Sequence, residues 1–142
     1  MRIGVRLPGD FASAGEFLAD CQAYEAAGAE LLVLEVGALN PWLVAAAAAA
    51  ATQRIGLASP GDGPERETLS LLARGRLVTD IAAEGWVHSD FPENREAWAQ
   101  LQAEHEEAGT MGLVLPHDPR LIDLLRNPEV EVDRTDLQLA QG

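Results

Sequence analysis

A strand-like run, a polar turn and a capped helix follow one another five times along this chain. Strict alternation of this kind restricts the fold to a parallel sheet with right-handed helical crossovers. The first round is the apolar segment 2–7, the turn Pro8-Gly9-Asp10, and a helix opened by Ser13 and Glu16 at capping-box spacing. Phe17, Leu18, Cys21 and Tyr24 recur at helical spacing behind that cap, and Gly28 supplies a left-handed stop. The second round begins with the nearly continuous apolar run 31–36, of the type covered on both faces of a parallel sheet, and ends at Gly37. Asn40 then caps helix 42–52, with Pro41 at its first position. The seven alanines 45–51 suit close helix-to-sheet packing and favour helix; they carry no cofactor signal.

The third round is strand 55–58, turn 59–64 and helix 65–74. Its glycine-rich turn is not a phosphate loop, because it lacks the G-x-x-x-x-G-K-[ST] spacing and two prolines remove amide donors. Residues 76–81 read as the fourth strand and 82–91 as a long loop carrying Glu84, Gly85, Trp86, His88 and Asp90, the richest chemical stretch of the chain. Asp90 is placed to cap a helix that begins near Pro92, buries Trp98, Leu101, His105 and Ala108, and stops at Gly109. Strand 111–115, the turn His117-Asp118-Pro119 and helix 120–126 complete the fifth round, ended by Asn127-Pro128. The polar tail 129–142, with Val130 and Val132 alternating, reads as either a loose end or an edge strand. The expectation is one α/β domain over residues 1–128. Two architectures satisfy it: a curved fragment of a (β/α)8 barrel with helices on one side, or an open flavodoxin-like sheet.

Composition narrows the function. With 142 residues and 47% hydrophobic content, the chain suits one domain with a sizeable core. A net charge of −13 repels phosphate backbones and anionic lipid, so neither nucleic acid nor membrane is an expected partner. The longest apolar stretch, Trp42 to Ala51, is too short for a bilayer, and no charged leader precedes an apolar run, so a cytoplasmic location is expected. All ten basic residues are arginines. That excludes Schiff-base, pyridoxal-phosphate and Walker-type chemistry, each of which needs an ammonium group. The one cysteine, Cys21, shares a helix face with Phe17 and Tyr24 and reads as a buried structural thiol.

Loops that follow the strands are expected to set Asp10, Glu35, Ser59, Glu84, Trp86, His88, His117 and Asp118 on one rim. His88 and His117 are the acid–base candidates, since imidazole titrates near neutrality and neighbouring loops can bring both to one substrate. The plainer alternative is that the histidines are solvated, Trp86 packs and Asp118 caps the last helix. No H-x-x-x-H or C-x-x-C spacing points to a metal. Arg74 and Arg76, flanking Gly75, read as anchors of a helix-to-strand connection on the opposite face.

Four segments carry a family resemblance: Arg2-Ile3-Gly4-Val5-Arg6-Leu7-Pro8, Tyr24-Glu25-Ala26-Ala27-Gly28-Ala29, Ala51-Thr52-Gln53-Arg54-Ile55-Gly56-Leu57, and Arg74-Gly75-Arg76-Leu77 leading to Glu84-Gly85-Trp86. In this order, over roughly residues 1–90, the chain resembles the luciferase-like flavin-dependent oxidoreductases. That family includes bacterial luciferase, alkanesulfonate monooxygenase and the F420-dependent methylenetetrahydromethanopterin reductases. The resemblance implies a barrel with its site at the carboxyl ends of the strands, binding FMN or F420 for hydride transfer or oxygen activation. Ser59, Glu84 and Trp86 are the cofactor contacts it implies here, beside His88 and His117 as catalytic groups. The family holds the cofactor phosphate largely in later barrel loops, so five units imply a site completed by oligomerisation. The alternative is a non-catalytic accessory or pseudo-enzyme subunit that has lost the cofactor. In both cases a barrel cut after five strands has two unpaired parallel edges, and a homodimer or a related partner subunit is the expected cover.

Overall fold

The computed structural model describes residues 1–126. The chain forms β1 (Arg2–Leu7), α1 (Ala14–Ala27), β2 (Leu31–Leu34), α2 (Pro41–Ala51), β3 (Gly56–Ala58), α3 (Glu65–Leu72) and β4 (Leu77–Val78). It continues with β5 (Trp86–His88), α4 (Arg95–Glu107), β6 (Gly112–Pro116) and α5 (Pro119–Arg126). All strand pairs are parallel, in the order β4-β3-β2-β1-β6-β5. One large core joins Ile3, Val5, Leu7, Leu32, Leu57, Leu113 and Leu115 to buried residues of every helix, including Tyr24, Ala48, Leu69, Trp98 and Leu121. The helices therefore all cover one face of the sheet, which curls as a half-barrel. This is the partial-barrel expectation, and the flavodoxin-like alternative, with helices on both faces, is excluded. The proposed tail 129–142 and the stop at Asn127-Pro128 lie outside the described residues.

Local chemistry accounts for the helix boundaries. Ser13 Oγ accepts the Glu16 amide at 3.2 Å, and Gly28 closes α1 at φ 101°, a conformation that costs glycine nothing. Asn40 Oδ1 accepts the amides of Trp42 and Leu43 ahead of the alanine helix. The α4 cap differs from expectation: Asn94, whose Oδ1 accepts the Ala97 amide at 2.8 Å, starts the helix in place of Asp90. Asp118 caps α5 as read, accepting the Arg120 amide at 2.8 Å. Among the described residues no helix is long and apolar enough to cross a membrane.

One correction concerns the sheet. Residues 82–91 are not one loop: a turn closed by Glu84, Gly85 and Trp86 amides on Ile81 and Ala82 carbonyls leads into the short strand β5. Gly85 makes that turn at φ 89°. Among the described residues the sheet thus has six strands, and no helix stands between β4 and β5. The structure also places the edges, which the sequence left unassigned. β6 returns to pair along β1, from Arg2↔Gly112 to Arg6↔Pro116, so the first strand is internal and, among the described residues, the outer strands are β4 and β5.

At the strand-start end, two side chains grip the α2–β3 connection. Glu25 Oε2 accepts the amides of Gln53, Arg54 and Ile55 at 2.7 to 2.9 Å. Burial opposes its charge, but the amides of Arg54, Ile55 and Gln53 outweigh burial and hold the carboxyl below its ordinary 4.5. A lowered folded value means that this stabilisation is complete above the unfolded pKa and is lost as pH falls through the folded one. Glu25→Gln is expected to cost about 1–3 kcal/mol at neutral pH, a deficit that shrinks below about pH 4. Urea denaturation checks this, and an equal deficit at acid and neutral pH would remove the carboxylate charge as its cause.

Candidate functional site

Strand alternation places Arg2, Gly4 and Arg6 of β1 on the concave face, away from the helices. There they adjoin Leu31 and Val33 of β2, Gly112 and Val114 of β6, and Trp86 and His88 of β5. The strand-start half of this face is packed. The Trp86 indole lies over the glycines of two strands, so that a Cβ added at Gly112 would meet its ring at 2.5 Å and one at Gly4 at 3.3 Å. The Arg2 guanidinium covers the ring from 4.6 Å, and Trp86 is only 4% exposed. Val33, Val78 and Ile81 pack around the same cluster, leaving Leu31 and Val114 fully buried although no helix covers them.

Toward the strand ends the concave face turns polar. Arg6 Nη1 donates to the Val114 carbonyl at 2.9 Å and to His88 Nδ1 at 3.0 Å, while Nη2 donates to the Ser89 carbonyl at 3.1 Å. A guanidinium only donates, so Nδ1 accepts and the proton of a neutral His88 sits on Nε2. His88 is exposed and Arg6 half-buried.

His117 has a different setting. Its amide donates to the Arg6 carbonyl, but its ring lies against α1: Nδ1 is 2.6 Å from Tyr24 Oη and Nε2 is 3.9 Å from Asp20 Oδ2. A carboxylate beside Nε2 favours the tautomer with its proton there, so that Nδ1 accepts from the tyrosine hydroxyl. Tyr24 is fully buried, and burial pushes its hydroxyl up to about 12, so it stays protonated. These groups border an open cleft of about 460 Å³ shared with Pro119, Ile122 and Arg126. The two histidine rings therefore have different partners, although both residues touch Arg6: the His88 ring meets the Arg6 guanidinium on the concave face, and the His117 ring meets α1 on the helix side.

Of the other candidates, Asp10, Glu35, Ser59 and Asp118 follow the carboxyl ends of their strands as expected, whereas Glu84 and Trp86 do not. Glu84 is exposed and sits at the strand-start end, beside Gly85, whose carbonyl accepts the amides that begin β6. It is thus at the opposite end of the sheet from His88, because β5 runs between them; Trp86 begins that strand and packs. Ser59 does stand after β3, with its hydroxyl donating to the Gly61 carbonyl at 2.8 Å and accepting the Gly61 amide, closing its own turn. Asp10 accepts the Leu39 amide and braces the loop after β2. Asp118 is drawn down to about 2 by its hydrogen bonds to Arg120. Cys21 is fully buried and pushed up to about 12 by burial, as befits a structural thiol.

Sequence reasoning overlooked Arg6, although its signal was present: arginines at positions 2 and 6 alternate with apolar residues, which marks a polar inward stripe on a central strand. Tyr24 read only as core, and Asp20 gave no signal without knowledge of which turn faces α1. Among the described residues no group of three His, Cys, Asp or Glu side chains is arranged to hold a metal ion. No protein-family model matches the chain, and no curated protein matches it significantly.

Proposed function

We propose that this protein is a non-catalytic relative of the luciferase-like barrels, an accessory subunit that keeps the βα scaffold and has given up FMN or F420. The observation that carries this reading is the filled concave face. Leu31 and Val114, the inward residues that would line a chamber for a flat ring, are fully buried under Trp86 and its apolar neighbours. The residues present also fit a cofactor phosphate poorly. Ser59 is spent on its own turn, and its loop carries two prolines in place of amide donors. Trp86 has one side on glycine backbone and the other under Arg2, leaving no open face for stacking. The His88 ring is engaged by Arg6 and the His117 ring by Tyr24, so each is already bonded to a different group.

An accessory role requires association, and the sheet edges supply a place for it. β4 and β5 have no outer neighbour among the described strands. Leu71 and Leu72 precede the β4 edge at 75% and 48% exposure, while Val87 on β5 and Met111 before β6 are also exposed. Covering such apolar edges favours a second copy or a related subunit. The test is titration of the purified protein with riboflavin, FMN and F420, read by ring absorbance and fluorescence, with light scattering on the same sample. The expected result is colourless protein, no saturable ring signal and a mass of two chains. Yellow protein or a saturable ring signal would overturn the accessory reading in favour of the oxidoreductase, and a monomer at micromolar concentration would remove the association.

A further inference from the structure

Four of the nine arginines among the described residues are matched with acids. Arg2, Arg66, Arg95 and Arg120 each lie within ion-pair distance of a carboxylate. Arg76 is spent on carbonyl and hydroxyl oxygens. Arg54, Arg74 and Arg126 are exposed, and Arg6 differs from all of these in being half-buried on the inward face of the sheet. It has no carboxylate partner among the described residues, although the chain carries 23 acidic side chains, and its three hydrogen bonds leave Nε–H and one Nη2–H without acceptors. An arginine held inward on a central strand of an acidic protein, without a counter-charge, lacks its acceptor.

We propose that Arg6 and His88 form a binding site for one oxyanion group, the carboxylate or phosphate of a small molecule. Carbonyl bonds to Val114 and Ser89 fix the guanidinium before any ligand arrives, so little side-chain freedom is lost on binding. Two guanidinium N–H groups suit the paired oxygens of a carboxylate or phosphate. His88, whose Nδ1 is engaged by Arg6, adds Nε2–H as a third donor from the exposed side. Val114, directly opposite both Gly4 and His88 in the ladder, gives the site an apolar floor that keeps these bonds from full solvent screening. The net charge of −13 disfavours anions over the surface at large, so an anion that binds needs a localised set of fixed donors such as Arg6 and His88 supply. This site is independent of the flavin question, because the probes that test it carry no ring.

The experiment is a titration of the ¹⁵N-labelled full chain with inorganic phosphate and, separately, with acetate. Ionic strength is held constant with sodium chloride, and the Arg6 Nε–H and His88 ring signals are followed. Saturable shifts centred on these two residues are expected with at least one probe, and the probe that saturates at lower concentration names the ligand class. Arg6→Gln is expected to weaken binding about tenfold or more, the loss of a charge-assisted pair. His88→Leu, at an exposed position that leaves Arg6 and its carbonyl bonds in place, is expected to weaken it a few-fold and keeps the test decisive if Arg6→Gln does not fold. Shifts that stay linear with both probes, that spread over other arginines, or that are unchanged in His88→Leu overturn the site.

Discussion

Trp86→Ala is expected to cost about 3–5 kcal/mol of folding stability, a large part of what a domain of this size possesses. The indole is 4% exposed and its ring occupies the space that the missing side chains of Gly112 and Gly4 leave over two strands. No other side chain of the β5 edge reaches this cluster, so alanine would leave a cavity over Leu31 and Val114 and let water reach both. Trp86→Phe is the informative comparison. The indole Nε1–H is buried with no acceptor among the described residues, and an unmade hydrogen bond of this kind costs about 1–3 kcal/mol. Phenylalanine gives up some apolar area but removes that orphan donor, so its net cost is expected to stay near 1 kcal/mol. Urea unfolding followed by far-ultraviolet circular dichroism measures both. Equal stability of the two variants, or a loss below about 1 kcal/mol for alanine, would mean that this ring does not seal the concave face. The accessory-subunit reading would then lose its principal support.

The ease of reading each element follows the range of the interactions that determine it. α1 and α2 were legible because their caps lie within three residues of the amides they bind, as with Ser13 and Glu16 or Asn40 and Leu43. β5 was not, since Trp86-Val87-His88 has too few residues to display a period and is held by Gly112 to Val114 across a separation no local pattern records. The same limit hid the return of β6 to β1, which leaves β4 and β5 as the outer strands among the described residues. For the site, residue types were legible and their grouping was not. His88 and His117 both follow strand residues in sequence, but Arg6 holds the first from the concave side and Tyr24 holds the second from the helix side. Which face a residue near a strand end serves depends on the last residue of the pleat, and the short strands here leave that parity undetermined by sequence.

Arg76, by contrast, was read from sequence together with Arg74 as an anchor of the connection around Gly75; it does bond Ala73 there but grips mainly the α2–β3 connection, and its removal is the second change expected to have a large effect. Its Nη2 donates to the carbonyls of Ala49 and Thr52 at 2.7 and 3.3 Å, and Nη1 donates to Thr52 Oγ1 and the Ile55 carbonyl at 2.8 and 3.0 Å. Nε donates to the Ala73 carbonyl at 2.8 Å, which ties the end of α3 to the same point. A helix leaves its last carbonyls without partners inside the helix and concentrates negative potential there. The last turn of α2 has no basic residue, so Arg76 brings the missing cation from a distant part of the chain. Burial, aided by the repulsion of Arg74 and opposed by Glu25, lowers its pKa, but a guanidinium stays charged throughout the working range. Arg76→Met keeps the stem and strips these acceptors of their donor, at an expected cost of about 3–5 kcal/mol. Arg76→Lys is expected to lose about 2 kcal/mol, because one ammonium cannot reach oxygens spread over the reach of a planar fork. Denaturation midpoints give the costs, and hydrogen exchange at the end of α2 locates them; a loss under 1 kcal/mol for Arg76→Met would refute the clamp. Glu25 holds the amides of residues 53–55 while Arg76 holds the carbonyls of Thr52 and Ile55, so both grip one short loop. Once either grip is released the other has less to hold, and the double variant Glu25→Gln with Arg76→Met is expected to fall short of the sum of its parts by about 0.5–3 kcal/mol.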